Sequence, residues 1–169
     1  MWQRSSSPGR DRLPSVGALD AGLRLLGRRA HSRHELVRKL ARRGHTEGEI
    51  DAAVRRLAEL GYLDDRAFAS GLVRRRGAVR GPLALGAELA ARGVDRAKAD
   101  AALAEFDPAA QLASATRLLE RLYARRPVGG YREMLDQLGS RLVRRGFSPA
   151  IVRAACQAVL AGTSGDPEA

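Results

Sequence analysis

The sequence predicts an all-α fold: nine main helices in three tandem three-helix repeats, elongated overall. Three observations carry this reading. First, a short punctuation recurs: Arg43-Gly44-His45-Thr46, Arg92-Gly93-Val94-Asp95 and Arg145-Gly146-Phe147-Ser148, with glycines 49 and 53 residues apart. Second, the flanks keep register with it. Leucine stands four residues before each glycine (Leu40, Leu89, Leu142) and eight before (Leu36, Leu85, Leu138). Apolar pairs follow six and ten residues after: Ile50 and Val54, Ala99 and Leu103, Val152 and Cys156. Third, no period-2 alternation is sustained, and Ala, Leu, Arg and Glu dominate. A fixed period of this length means a repeated supersecondary unit. Each unit is expected to bury its apolar face by stacking on its neighbours, which gives a long surface for function.

The punctuation has a physical meaning. Glycine after an apolar-periodic run fits the residue just past a helix end, where positive φ is needed. Thr46, Asp95 and Ser148 then offer a side-chain oxygen to cap the next helix. Thr46 with Glu49, and Ser32 with Glu35, fit the capping box. Pro149 follows Ser148 where the missing N–H costs nothing.

The first unit is expected over 17–61. Leu19, Leu23 and Leu26 space its first helix. Ser32 caps the second, with Leu36, Val37 and Leu40. Thr46 caps the third, with Ile50, Val54 and Leu57, and Gly61 ends it. The second unit covers 62–106. Asp64 caps a helix with Phe68 and Leu72, Pro82 opens one with Leu85 and Leu89, and Asp95 caps a third with Leu103. The third unit covers 107–162. A helix begins near Pro108 and carries Leu112, Leu118, Leu119 and Leu122. After the loop Pro127-Val128-Gly129-Gly130 a helix carries Leu135, Leu138 and Leu142, and Ser148 caps the last. Residues 1–16 are expected to be a flexible N-terminal arm and 163–169 a flexible tail.

Net charge is +11, with 30 basic and 19 acidic residues; Lys39 and Lys98 are the only lysines. Residues 1–80 hold 18 basic against 9 acidic side chains, so most of the excess lies in the first half. That bias implies an anionic partner there, either nucleic acid or an acidic protein surface. Arg38, Arg42 and Arg43, with the run Arg74-Arg75-Arg76 and Arg80, are the candidate contact residues. Glu35–Lys39 pairing is expected to brace the second helix. Sequence-specific major-groove reading is disfavoured, because the third helix opens with Glu47, Glu49 and Asp51, which repel phosphates. Aromatic residues are 4% of the chain, too few for base-stacking platforms. DNA contact is therefore expected to be weak, to the backbone, and sequence-tolerant.

Catalysis finds no footing in the sequence. His31, His34 and His45 are the only histidines and lack metal-ligand partners at useful spacing. There is no P-loop and no nucleophile elbow, so neither metal nor cofactor is expected. The single Cys156 fits the core of the last helix and a reducing compartment, hence a cytoplasmic protein without disulfides. No apolar stretch reaches membrane-spanning length, and residues 1–15 lack the apolar core of a signal peptide.

Specific residues then point to a family. Ser32-Arg33-His34-Glu35-Leu36, followed by Leu40 and Arg43-Gly44, resembles the opening of the RecX regulatory proteins. Gly61-Tyr62-Leu63-Asp64-Asp65-Arg66-Ala67-Phe68-Ala69 resembles their most recognisable segment, and Gly81-Pro82, Glu88-Leu89 and Gly93-Val94 resemble the stretch after it. The resemblance is strong over 17–105 and runs to 162 as a weaker third repeat. It implies an elongated, curved array of three three-helix units. It also implies a negative modulator that binds the RecA–DNA filament and restrains RecA ATPase, strand exchange and coprotease activity, working as a monomer. The alternative is a general basic nucleic-acid-binding helical protein without a recombinase partner. Leu83-Ala84-Leu85-Gly86 is neutral where the family is usually basic, which points to protein rather than DNA contact there. Tyr62 and Phe68 are expected to hold the first two units together.

Overall fold

The computed structural model describes residues 17–164; the expected arm over 1–16 and most of the expected tail lie outside the described residues. Among the described residues the structure is helical throughout, with no strand. Helices α1 (Ala18–Arg28), α2 (Arg33–Ala41) and α3 (Glu47–Glu59) come first. Then follow α4 (Asp65–Arg76), α5 (Pro82–Ala91) and α6 (Arg96–Ala104). Next come α7 (Pro108–Arg125), α8 (Tyr131–Met134), a π-helical turn (Leu135–Gly139), α9 (Ser140–Arg144) and α10 (Pro149–Ser164). The stretch from α8 through the π turn to α9 is unbroken, so nine main helices are present among the described residues. α10 runs two residues into the expected tail. No helix of the described residues is long and apolar enough to cross a membrane.

The helix boundaries reflect the residues that cap them. Ser32 Oγ accepts from Glu35 N while the Glu35 carboxylate accepts from Ser32 N, and Thr46 with Glu49 repeats the arrangement. Asp64, Asp95, Asp107 and Ser148 each accept from the first turn of the following helix. Such caps are worth about 1 kcal/mol each. Gly44, Gly93 and Gly146 sit at φ +86°, +69° and +86°, the left-handed conformation that ends each middle helix.

The apolar register closes three cores. Leu36, Leu40, Leu85, Leu89, Leu138 and Leu142 are all fully buried. In each unit the first and third helices pack face to face: α1 on α3, α4 on α6 and α7 on α10. The middle helix closes the triangle. Leu25, Leu36, Leu40, Ile50, Val54 and Leu57 make one core. Phe68, Leu72, Leu85, Leu89 and Phe106 centre the second. Leu119, Met134, Leu138, Leu142, Phe147 and Val152 centre the third, where the π turn lays Gly139 against Val152 of α10.

Two expectations are corrected here. The units do not bury their apolar faces on one another, because three helices suffice to enclose each core. The phase of α1 also differs. Ala21, Gly22 and Leu25 face inward while Leu19, Leu23 and Leu26 pack at the rim, because Gly22 lets α1 settle against Leu57.

What joins the units is a pair of equivalent contacts between middle helices. At the first joint the start of α2 meets the end of α5. Ser32 Oγ donates to the Arg92 carbonyl at 2.6 Å, and a Cβ on Gly93 would run into His34. At the second, the start of α5 meets the end of α9. Gly81 N–H donates to the Arg145 carbonyl at 2.8 Å, Leu83 N–H to the Gly146 carbonyl at 3.1 Å, and a Cβ on Gly146 would run into Ala84. Each unit thus plugs the N-terminus of its middle helix into the Arg-Gly turn of the next. The array is elongated, because each joint is a small contact between successive units.

Leu40→Ala, Leu89→Ala and Leu142→Ala should each cost about 2–5 kcal/mol, as truncation of a fully buried leucine does. Chemical denaturation checks this, and three variants that unfold with wild-type midpoints would disprove the packing.

Candidate anionic-partner interface

The first joint carries the main concentration of charge. Arg29, at the C-terminal end of α1, donates to Glu35 at 3.1 Å. Glu35 also accepts from Arg92 at 3.1 Å, and Arg92 donates to Glu88 at 2.7 Å. Glu88 in turn pairs with Arg76 at 3.0 Å and, more loosely, with Arg80 at 3.8 Å. The result is an alternating chain across two units: Arg29, Glu35, Arg92, Glu88, then Arg76 and Arg80. Burial acts to raise the Glu35 carboxyl, but the hydrogen bond from Arg29 and the charges of Arg29 and Arg92 outweigh it, so it is held below the usual carboxylate range. The Arg92 guanidinium also lies over the Phe68 ring, 5.9 Å from its centre.

Asp65 adds a further tie: its carboxylate accepts from Arg33 N–H at 2.7 Å, across the same joint. The adjacent acids Asp64 and Asp65 thus divide their work, one capping α4 and the other gripping the first unit. Glu35 is taken by Arg29 and Arg92 and forms no pair with Lys39. Lys39 instead donates to His31 Nε2 at 2.8 Å. Tyr62 is 60% exposed and holds no joint. Phe68 belongs to the core of its own unit and meets the first unit only through the cleft above it.

Between the first two units this network walls a cleft of about 560 Å³, lined by Arg29, Ala30, Phe68, Leu72, Arg75, Arg76 and Arg92. Four guanidiniums face one opening, and the two carboxylates that serve three of them leave a positive excess. The chemistry suits an anion, through the planar fork that guanidinium offers to phosphate or carboxylate.

The seven sequence-predicted residues therefore separate into two kinds. Arg76 and Arg80 are ion-paired to Glu88. Arg38, Arg42, Arg43, Arg74 and Arg75 are exposed and, among the described residues, meet no carboxylate. Arg75 joins Arg76 at the cleft, while Arg74 turns to a second hollow shared with Phe106 and Arg117 near α7. Arg29 and Arg92 were missing from the sequence-predicted set. The signal for Arg92 was present, in its spacing of four from Glu88 and its place in the repeated punctuation.

The comparisons with known proteins agree with this architecture. Residues 18–57 match the RecX first three-helix domain and residues 64–103 the RecX second three-helix domain. The regulatory protein RecX of Halorhodospira halophila is 44% identical over 147 residues, covering 85% of this chain and 89% of that protein. The chain belongs to the RecX family of regulatory proteins. A RecX of Mycobacterium sp. (strain KMS) is 36% identical, covering 83% of this chain and 80% of its own length. The crystal structure of RecX from Lactobacillus salivarius superposes with a TM-score of 0.77 at 25% identity, over 85% of this chain and 95% of that one. A regulatory role and a tandem helical architecture hold for this RecX member.

His31 sits beside the charge network. It is 3% exposed, and its Nδ1–H donates to the Arg29 carbonyl at 2.8 Å, so Nε2 is free to accept from Lys39. Desolvation lowers its pKa; the Arg29 and Lys39 charges add to this, and together they outweigh the Arg29 carbonyl and Glu35. The unfolded chain then binds a proton near pH 6.5 that the folded chain refuses. The stabilisation is complete above about pH 6.5 and is lost as pH falls. The melting temperature should drop as pH falls below about 6.5, before the main carboxylate range is reached, and His31→Gln should flatten that slope. An equal slope in both proteins would refute the assignment.

Arg92→Ala removes charge-assisted hydrogen bonds to two partly buried carboxylates, which keep Arg29 and Arg76, and should cost about 1.5–3 kcal/mol. Arg75→Ala, with no partner to strand, should leave the melting temperature within experimental scatter. Reversal of that order in calorimetry would contradict the network.

Proposed function

We propose that this protein is a negative modulator of the RecA recombinase, which binds the RecA–DNA filament and restrains its ATPase, strand exchange and coprotease activities. The observation that carries the reading is the arginine-lined cleft at the first joint, set in a chain of the RecX family. A row of units in line suits a filament better than a free subunit. Several weak contacts made at once raise the apparent affinity through effective concentration. The basic first half is placed to lie near the filament's DNA, and the nearly neutral second half to meet protein. The units taken to act in this way are 17–61, 62–106 and 107–162, in a cytoplasmic protein.

The contact residues in this reading are Arg38, Arg42, Arg43, Arg74 and Arg75, with Arg76 and Arg80 available once an anion competes for them with Glu88. Contact to DNA is to phosphates, so affinity should fall steeply with salt, with a slope of about 0.9 per neutralised phosphate on duplex. Salt-insensitive binding to one defined sequence would instead mark a transcription factor. The second reading, a general basic nucleic-acid-binding protein, draws on the same unpaired arginines and differs in needing no RecA.

The decisive assay is RecA ATPase on single-stranded DNA at substoichiometric protein. Inhibition is expected, and simultaneous neutralisation of Arg38, Arg42, Arg43, Arg74 and Arg75 should abolish it with the melting temperature unchanged. No effect on ATPase, strand exchange or filament length at any ratio would reject the reading in favour of the second.

A further inference from the structure

The joint used twice inside the chain is left half-made at each end. The first unit has an Arg-Gly turn with nothing plugged into it among the described residues. Gly44 has the φ of its counterparts Gly93 and Gly146, but open space where theirs meet a neighbouring helix. Arg43 and Gly44 are exposed, and their carbonyls accept no hydrogen bond from any described residue, whereas Arg92, Arg145 and Gly146 each accept one across a joint. The third unit has the opposite half, the start of its middle helix at Gly130, which enters no turn among the described residues. Gly130 caps this helix as Ser32 and Gly81 cap theirs, and Arg132 stands two residues past the cap as His34 and Leu83 do. The third helix starts about one turn further from its Arg-Gly turn, sixteen residues before Gly146 against twelve before Gly44 and Gly93. Among the described residues the N–H groups of Gly130 and Arg132 donate to nothing, while those of Gly81 and Leu83 make the second joint.

The charges keep the same spacing from the helix cap. At the first joint Glu35, three residues past the helix cap, serves its own N-terminus through Ser32 N–H and reaches Arg92 of the next unit. Glu133 likewise stands three residues past its cap. It accepts from Gly129 N–H at 2.8 Å and from Gln137 Nε2 at 2.7 Å, and is exposed. Arg43 holds the position of Arg92. The two free ends are thus complementary in hydrogen-bond donors and acceptors, in the space above the glycine, and in charge.

We propose that the Arg43-Gly44 turn of one molecule receives the start of the third unit's middle helix, at Gly130–Glu133, of a second copy of this chain. The contact is head-to-tail. It pairs a helix start with an Arg-Gly turn as the internal joints do, with Glu133 paired to Arg43 of the next molecule. Such a contact uses different surfaces on its two sides, so it builds open rows rather than closed dimers. It is small, so the dilute protein is a monomer and association grows with concentration.

Sedimentation of the full chain over rising concentration tests this. The weight-average mass should climb without a plateau. Gly44→Asn should hold the protein at one chain, because asparagine tolerates the left-handed backbone and its side chain fills the socket. Arg43→Glu and Glu133→Arg should each prevent association, and the two together in one chain should restore it. Both positions are exposed, and melting curves verify that the variants fold. A mass fixed at one chain at the highest soluble concentration, a plateau at two chains, or a double variant that fails to recover would each overturn the proposal.

Discussion

Both joints that make this chain one object rather than three depend on a missing methyl group. Each unit closes its own core, so no shared apolar layer aligns one unit with the next. Alignment falls to two places where a helix start touches a helix end, and both need glycine. At Gly93 and Gly146 the backbone is left-handed, and a Cβ would enter His34 or Ala84. Two demands that each favour glycine coincide at one residue. The same turn that stops the middle helix therefore presents a bare carbonyl to the neighbour. A helix end has unsatisfied carbonyls and a helix start has unsatisfied N–H groups, so the joint lets each supply what the other lacks. At the second joint the exchange is direct, from Gly81 and Leu83 N–H; at the first, Ser32 Oγ mediates it.

The two joints are not equal in strength. The second has two backbone hydrogen bonds and a close Gly81–Gly146 contact. The first adds Arg33 to Asp65 and the Arg29–Glu35–Arg92–Glu88 chain. Ion pairs of this kind gain from partial burial and from sharing partners, and they lose to salt less than exposed pairs do. The first joint is also where the cleft opens. Its walls are held by the same carboxylates that would compete with an incoming anion. An anion entering there would have to displace Glu88 from Arg76, so occupation of the cleft would be coupled to the set of the two units by shared side chains.

The helices were legible in the sequence because their signals are local. Capping boxes at Ser32 and Thr46, the proline at 149 and the leucines counted back from each glycine act within a few residues, and each appears in the structure as read. The phase of α1 was less legible, because leucine is the stronger apolar signal while the inward face there is built on Ala21 and Gly22, chosen for closeness to Leu57. The contacts that Asp65 and Glu35 make across the joint could not be placed by pattern. Their partners lie 32 and 57 residues away, and no periodicity encodes a contact at that range. The cleft was half visible: Arg75 and Arg76 stood out as a run, whereas Arg29 and Arg92 reach it from opposite sides of a joint.

The arginines show why a charge count is a poor guide to a binding site in this chain. A run of like residues invites one reading for all, yet the fold gives them different work. Arg92 is structural, spread over Phe68 and two carboxylates. Arg76 is held by Glu88, and Arg75, next to it in sequence, meets no carboxylate among the described residues. Helical geometry causes the difference, since neighbours in sequence point about 100° apart around the axis and only one of them can face Glu88. An unpaired guanidinium gives up only water to meet an anion, whereas a paired one must first be released. The cost of recruitment therefore rises from Arg75 to Arg76 to Arg92, and a partner approaching the cleft meets the free charges before the bound ones.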